Sequence, residues 1–209
     1  MAETYPLSLP THTGIASLNW AAENRVAVAE SPFTLSQQVV KHAGQRWSGT
    51  YSLPAMKRED AEVWNAFLLR LDGSFGTFLM GDPIAATPRG SAASTPGTPV
   101  VNGADQTGHE LAIDGLPASA TGYLKAGDYI QLGSGSSAKL HKVLEDVDSN
   151  ASGEATLNIW PDLRSSPSDD ATVAVSNAKG VFRLVDNTIN WDIGSNSFYS
   201  ISFAFVEAL

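Results

Sequence analysis

The aromatic residues of this chain are distributed too unevenly for one uniform domain. Of the 18 Phe, Trp and Tyr residues, only Tyr123, Tyr129 and Trp160 lie within residues 81–180, and the other 15 lie in the 109 flanking residues. The same central stretch holds 12 of the 18 glycines and 7 of the 11 prolines, and its 12 acidic against 6 basic residues carry −6 of the net −9. An aromatic-rich sequence interrupted by an aromatic-poor, turn-rich one predicts a nested domain, because an insertion needs only two exposed crossings of chain. The leading linker, Gly81 to Pro99, is small, polar and punctuated by proline, and the return lies near Asn177-Ala-Lys-Gly180. This places an outer domain at 1–82 plus 180–209 and an inserted one at 83–179.

Periodicity assigns both parts to a mainly β class. In the outer segment, Phe33, Leu35 and Val39 alternate, as do Trp47, Gly49, Tyr51 and Leu53, which predicts two strands with one buried face each. The pattern then changes: Trp64, Phe67, Leu68 and Leu71 form one helical stripe, with acids in the first turn and Gly73 as the stop, so one helix is predicted at about 57–72. Strands follow at 75–80, 180–185 and 188–192. The clearest is 198–206, where Tyr199, Ile201, Phe203 and Phe205 face one way and Ser200, Ser202 and Ala204 the other. The two flanks are expected to pair into one split β-barrel or sandwich packed on the helix. Inside the insertion, short strands near 109–113, 128–132, 139–147, 155–160 and 172–175 predict a small barrel or sandwich. An OB-type barrel is the first choice, which periodicity alone does not separate from the others.

Composition removes several classes of function. The 43% hydrophobic share excludes intrinsic disorder, and the absence of cysteine excludes disulfide scaffolds, thiolate zinc sites and cysteine nucleophiles. Met1-Ala-Glu-Thr-Tyr-Pro lacks the basic and apolar regions of a signal peptide, and no run approaches the roughly 20 apolar residues of a membrane span, so a soluble chain without membrane insertion is expected. With 22 acidic against 13 basic residues, there is no basic patch for specific nucleic-acid binding.

Motifs that carry chemistry each have a plainer reading. Asp146-Val-Asp148-Ser-Asn150 starts like a calcium loop, but the EF-hand pattern needs Gly and Glu where Ala151 and Leu157 stand, so a hairpin turn and no metal site are expected. Gly133-Ser-Gly-Ser-Ser137-Ala-Lys139 has the flavour of a phosphate-cradling loop, yet it lacks the Gly-Lys-Ser/Thr ending and joins two predicted strands. His12, His42, His109 and His141 are far apart, and no nucleophile elbow is present, so no catalytic residues and no cofactor are assigned. Asp169-Asp170 reads as a solvated turn, with no sign of a glycosidase acid pair. Tyr123, Tyr129 and Trp160 are candidates for stacking on a glycan.

The run Trp47-Ser-Gly-Thr-Tyr-Ser-Leu-Pro-Ala-Met-Lys-Arg-Glu-Asp-Ala-Glu-Val-Trp64, with Ala66-Phe-Leu-Leu-Arg-Leu71, Gly73 and Gly76-Thr-Phe-Leu-Met-Gly-Asp-Pro83, resembles the distal tail proteins of long-tailed, non-contractile bacteriophages, in the form with an OB-fold insertion. Lys125-Ala-Gly-Asp-Tyr-Ile-Gln-Leu-Gly133, Gly180-Val-Phe-Arg-Leu184 and Phe205-Val-Glu-Ala208 are similar to later parts of the same family. The resemblance implies a non-enzymatic virion protein at the tail tip, made in the host cytoplasm. It would be a homo-hexameric ring between the tail tube protein and the baseplate hub protein, with a channel for DNA. The outer β-barrel and helix would build the ring, and the insertion would be an OB-fold-like barrel projecting outwards. Six copies would carry 6 × −9 = −54 formal charges, and some of the acids are expected to face the channel, since a conduit for DNA should repel phosphates. Two other functions compete: a module binding host-surface carbohydrate through the inserted barrel, and a cell-wall hydrolase, for which no sequence feature speaks.

Overall fold

A computed structural model describes residues 3–11 and 14–209. Among these residues thirteen strands form two sheets, and there is one α-helix. The first sheet uses β1 (Leu7–Ser8), β2 (Ser17–Glu30), β3 (Gln37–Ser52), β4 (Phe78–Met80), β11 (Gly180–Leu184), β12 (Trp191–Ile193) and β13 (Tyr199–Glu207). Its order is β1-β4-β11-β13-β3-β2, with β12 beside β13; β1 and β4 are parallel and all other pairs antiparallel. The second uses β5 (Val100–Val101), β6 (Gly108–Asp114), β7 (Tyr129–Leu132), β8 (Lys139–Val143), β9 (Ala155–Leu163) and β10 (Val173–Ala174), in the order β10-β7-β8-β9-β6-β5. Its two edges meet at a Val100–Thr172 bridge, and Val101 and Val173 donate across the gap to Ala171 and Pro99 at 2.9 and 3.0 Å, so six strands make a nearly closed barrel. The protein is a mixed sheet with one helix, interrupted by a small β-barrel. Among the described residues no helix is long and apolar enough to cross a membrane.

The helix, α1, spans Arg58–Arg70 and carries Glu59 and Asp60 in its first turn and Arg70 in its last, as the macrodipole favours. Its buried stripe of Ala61, Trp64, Phe67 and Leu68 lies on the apolar face of the sheet, with Trp64 against Tyr51 and Phe203, and Phe67 edge-on to Phe78. β13 keeps the period expected of it: Ile201, Phe203 and Phe205 are buried and Ser200 and Ser202 exposed. Gly49 faces Phe205 across β3 and β13, and a Cβ there would lie 2.7 Å from the Phe205 ring and 2.0 Å from the Asn19 carbonyl. That close approach of strand, strand and ring requires glycine.

The barrel has its own core, with Leu111, Ile113, Leu124, Ile130, Val143, Leu157 and Ile159 fully buried. The chain leaves the first sheet after Met80 and returns at Gly180, and these two residues are register partners in adjacent antiparallel strands. An insertion whose ends are hydrogen-bonded neighbours leaves the host sheet unbroken.

The structure departs from expectation at one end of the chain. Phe33, Leu35 and Val39 were predicted to share a buried strand face. Phe33 and Leu35 instead lie in the Ser31–Ser36 turn, 93% and 70% exposed, and Val39 stands in the second strand of a long hairpin at 59%. β2, the other strand of that hairpin, is not legible in the sequence, because Ala-Ala-Glu-Asn-Arg within Ser17–Glu30 breaks the alternation.

Candidate assembly interface

The β2–β3 hairpin is the most unusual surface of the molecule. Its base, Ser17–Ala22 against Trp47–Ser52, belongs to the sheet. A register shift between Asn24 and Val26 then sets off an outer arm, in which Val26, Ala27, Val28, Ala29 and Glu30 pair with Lys41, Val40, Val39, Gln38 and Gln37. Partners across an antiparallel pair share a face. One face of the arm therefore shows Val26, Val28 and Val39 with Lys41, Glu30 and Gln37, and the other Ala27, Ala29 and Val40 with Gln38. Both are open: Val26, Val28, Val39 and Val40 are each about half exposed. A two-stranded ribbon is marginal in water on its own, and an uncovered apolar strand edge is a template for pairing with another chain. β2 ends the sheet, so it has no strand partner on its outer side, and the apolar part of that edge is the stretch from Val26 to Ala29.

A second apolar edge lies across the sheet. β12 pairs with β13 on the side away from β3, and Trp191, Ile193 and Phe198 of that hairpin are all at least 37% exposed. Between the two edges, the face opposite α1 is open and rich in hydroxyls. Ser48, Thr50 and Ser52 of β3 alternate with buried residues, and Ser200 and Ser202 do so on β13. Its charges include Arg183 and the Glu23–Arg46 ion pair at 2.9 Å. The Arg46 hydrogen bond is the first cause holding the Glu23 carboxyl below the usual range.

The barrel is seated on the other face of the same sheet. Trp47 donates Nε1–H to the Leu140 carbonyl at 3.0 Å, and its ring is edge-on to Trp160 at 4.4 Å and near Tyr129 at 6.1 Å. Arg164 of the barrel closes bidentately on Glu207 of β13 at 2.8 and 2.6 Å and donates to the Gln45 carbonyl at 2.9 Å. Glu207 is 5% exposed and also accepts from the Trp47 backbone N–H at 3.1 Å. Gln45 Oε1 accepts from the Asp162 N–H at 2.7 Å. The barrel is thereby held by a buried, charge-assisted lock, and its orientation is set by side-chain geometry instead of by the linkers.

The three rings considered for glycan stacking do not form a platform. Tyr123 is fully buried inside the barrel, where its hydroxyl donates to the Pro96 carbonyl at 2.6 Å and burial pushes its pKa up to about 12. Tyr129 is buried in the seam, with Lys142 Nζ 4.6 Å from its ring centroid. Trp160 is half-buried against Trp47 and donates Nε1–H to Asn24 Oδ1 at 3.0 Å. Two of the three join barrel to sheet. Glu207 and Arg164, which sequence reasoning passed over, had one usable signal: Glu207 falls on the buried period of 201, 203 and 205, where a charge needs a partner.

The remaining candidates are dispersed. His12 lies outside the described residues; His42 and His109 are exposed on different sheets, and His141 is buried in the barrel. Asp146, Asp148 and Asn150 do not converge. They accept from the backbone N–H groups of Ala126, of Gly122, and of Ser152 and Glu154, respectively. Gly133–Lys139 is a tight hairpin turn stabilised by the reciprocal Ser134–Ser137 bonds. Asp169 accepts from the Gly103 N–H at 2.8 Å. No family model and no curated protein matches the chain.

Proposed function

We propose that this chain is a structural, non-enzymatic protein of a bacteriophage tail tip, which closes into a homo-hexameric ring joining the tail tube to the hub and leaving a channel for DNA. The observation that carries the reading is the β2–β3 arm, which exposes valines on both faces and has an unpaired outer edge, opposite a second edge with exposed apolar residues at β12. Two unlike edges on opposite sides of one sheet suit a heterologous, head-to-tail contact, which closes into a ring when the rotation allows. The arm of one copy would lie on the β12–β13 side of the next, with the hydroxyl-rich face along the channel and the barrel on the outside. The number six, the tail and the neighbouring proteins come from the resemblance of Trp47–Trp64 and the later segments to distal tail proteins. DNA passage would suit a face that carries hydroxyls and paired charges and little free positive charge.

Native mass measurement tests the reading. Six copies of the 22.1 kDa chain give 6 × 22.1 = 132.6 kDa, and images of that species should show a six-fold ring. A monomer that persists at high concentration overturns it.

A further inference from the structure

One end of the inserted barrel is covered by two loops, the Gly133–Ala138 turn between β7 and β8 and the 164–172 segment between β9 and β10. Beneath them is a cavity of about 210 Å³. This is far more than the ~15 Å³ that one ordered water needs. Barrel mouths are common sites for small ligands. The strand ends supply apolar walls, Leu132 and Leu163, and the polar residues around the space are unusual in what they leave unsatisfied.

His141 is 1% exposed and stands on the barrel-facing side of β8, opposite Ile130. Its Nδ1 lies 2.7 Å from the Pro161 carbonyl, which can only accept, so Nδ1 carries the proton. The ring is neutral, because burial pushes its pKa down to about 4. Nε2 is therefore a bare lone pair, and it is buried without a partner. A buried acceptor of this kind calls for a donor. Lys139, two residues earlier on the same strand face, also lines the cavity and has no hydrogen bond or ion pair among the described residues. The hydroxyls of Ser165 and Ser168, on the covering loop, are likewise unengaged there. Arg164 adds wall but little free charge, since Glu207 closes on its guanidinium. Asp169, beside Ser168, is turned to the Gly103 N–H.

One free cation, two free hydroxyls and one bare acceptor describe a particular guest. The cation and hydroxyls suit anionic oxygens, and the acceptor requires that the same guest carry a proton. A carboxylate or sulfate would set lone pair against lone pair at Nε2. A phosphate with a P–OH group satisfies all of them. We propose that the barrel mouth binds a small protonated phosphate, with its charged oxygens toward Lys139, Ser165 and Ser168 and its P–OH donating toward His141 Nε2. The site is independent of the arm and of ring assembly.

Calorimetric titration of the whole chain at neutral pH, with inorganic phosphate and separately with sulfate, tests the site. One phosphate should bind per chain, and sulfate should bind about tenfold or more weakly, the cost of leaving an acceptor unpaired. Lys139→Met, a half-buried position at the rim, should weaken phosphate about tenfold while the melting temperature is kept. His141→Phe should remove the preference for phosphate over sulfate; if that variant does not fold, the sulfate comparison and Lys139→Met carry the test. A parallel titration of inorganic phosphate and glycerol 3-phosphate at about pH 5.5, where a monoester also keeps a P–OH, separates a free anion from the head of a monoester, the tighter binder naming the source. No heat and no thermal shift with phosphate overturns the proposal, as does equal affinity for sulfate or an unchanged affinity in Lys139→Met.

Discussion

At the scale of residues, two buried polar groups set how this protein responds to mutation and to acid. Arg164 compensates Glu207, which is almost wholly enclosed between sheet and barrel. Arg164→Leu leaves that carboxylate buried without its partner, and a loss of about 3 kcal/mol is expected in urea unfolding. An unchanged midpoint would show that the lock contributes nothing net. His141 sets the acid limit. Its folded pKa, about 4, lies below its ordinary 6.5, with burial the main cause and Arg164 and Lys139 adding to it. The folded state then binds fewer protons than the unfolded chain between these values. Its contribution is complete above about pH 6.5 and is lost as the pH falls toward 4, by roughly 3 kcal/mol in all. The slope of stability against pH over that window should flatten in His141→Gln.

At the scale of elements, the β2–β3 arm is where the proposed assembly can be tested apart from folding. Its valines are exposed in the single chain, so Val28→Lys with Val39→Glu should change the melting temperature of the monomer very little, within about 0.5 kcal/mol. The same pair should abolish the high-mass species by placing charges on a face that the neighbouring copy must cover. A variant that still forms rings would move the contact elsewhere. The prediction of this region from sequence failed for a physical reason. Alternating apolar residues signal one buried face only when a core supplies the burial, and Phe33, Leu35 and Val39 stand exposed, outside both cores. α1 was legible nearly to its ends, about 57–72 against Arg58–Arg70, because its apolar stripe, acidic first turn and Gly73 all act within a few residues of one another.

At the scale of the molecule, the nested design can be taken apart. Deleting residues 82–178 joins Gly81 to Lys179 as a two-residue turn between the paired Met80 and Gly180, with glycine first, as a type II′ hairpin prefers. The shortened chain should keep its sheet and helix by circular dichroism. It should lose on the order of 2–3 kcal/mol, because Trp47, now 4% exposed, would be uncovered by removal of Tyr129 and Leu140. A chain that fails to fold would show that the barrel is part of the host core. The amino-acid sequence by itself determined the β class, the single helix, the nested organisation and the alternation of β13, since these rest on composition and on periods of a few residues. Only the tertiary structure decided that Tyr129 and Trp160 join barrel to sheet, that Glu207 meets Arg164 across 43 residues, that His141 keeps a bare nitrogen at a barrel mouth, and that the residues around Phe33 form a projecting arm. Each of these depends on which surfaces meet after folding, and contacts between residues distant along the chain leave no spacing in the sequence.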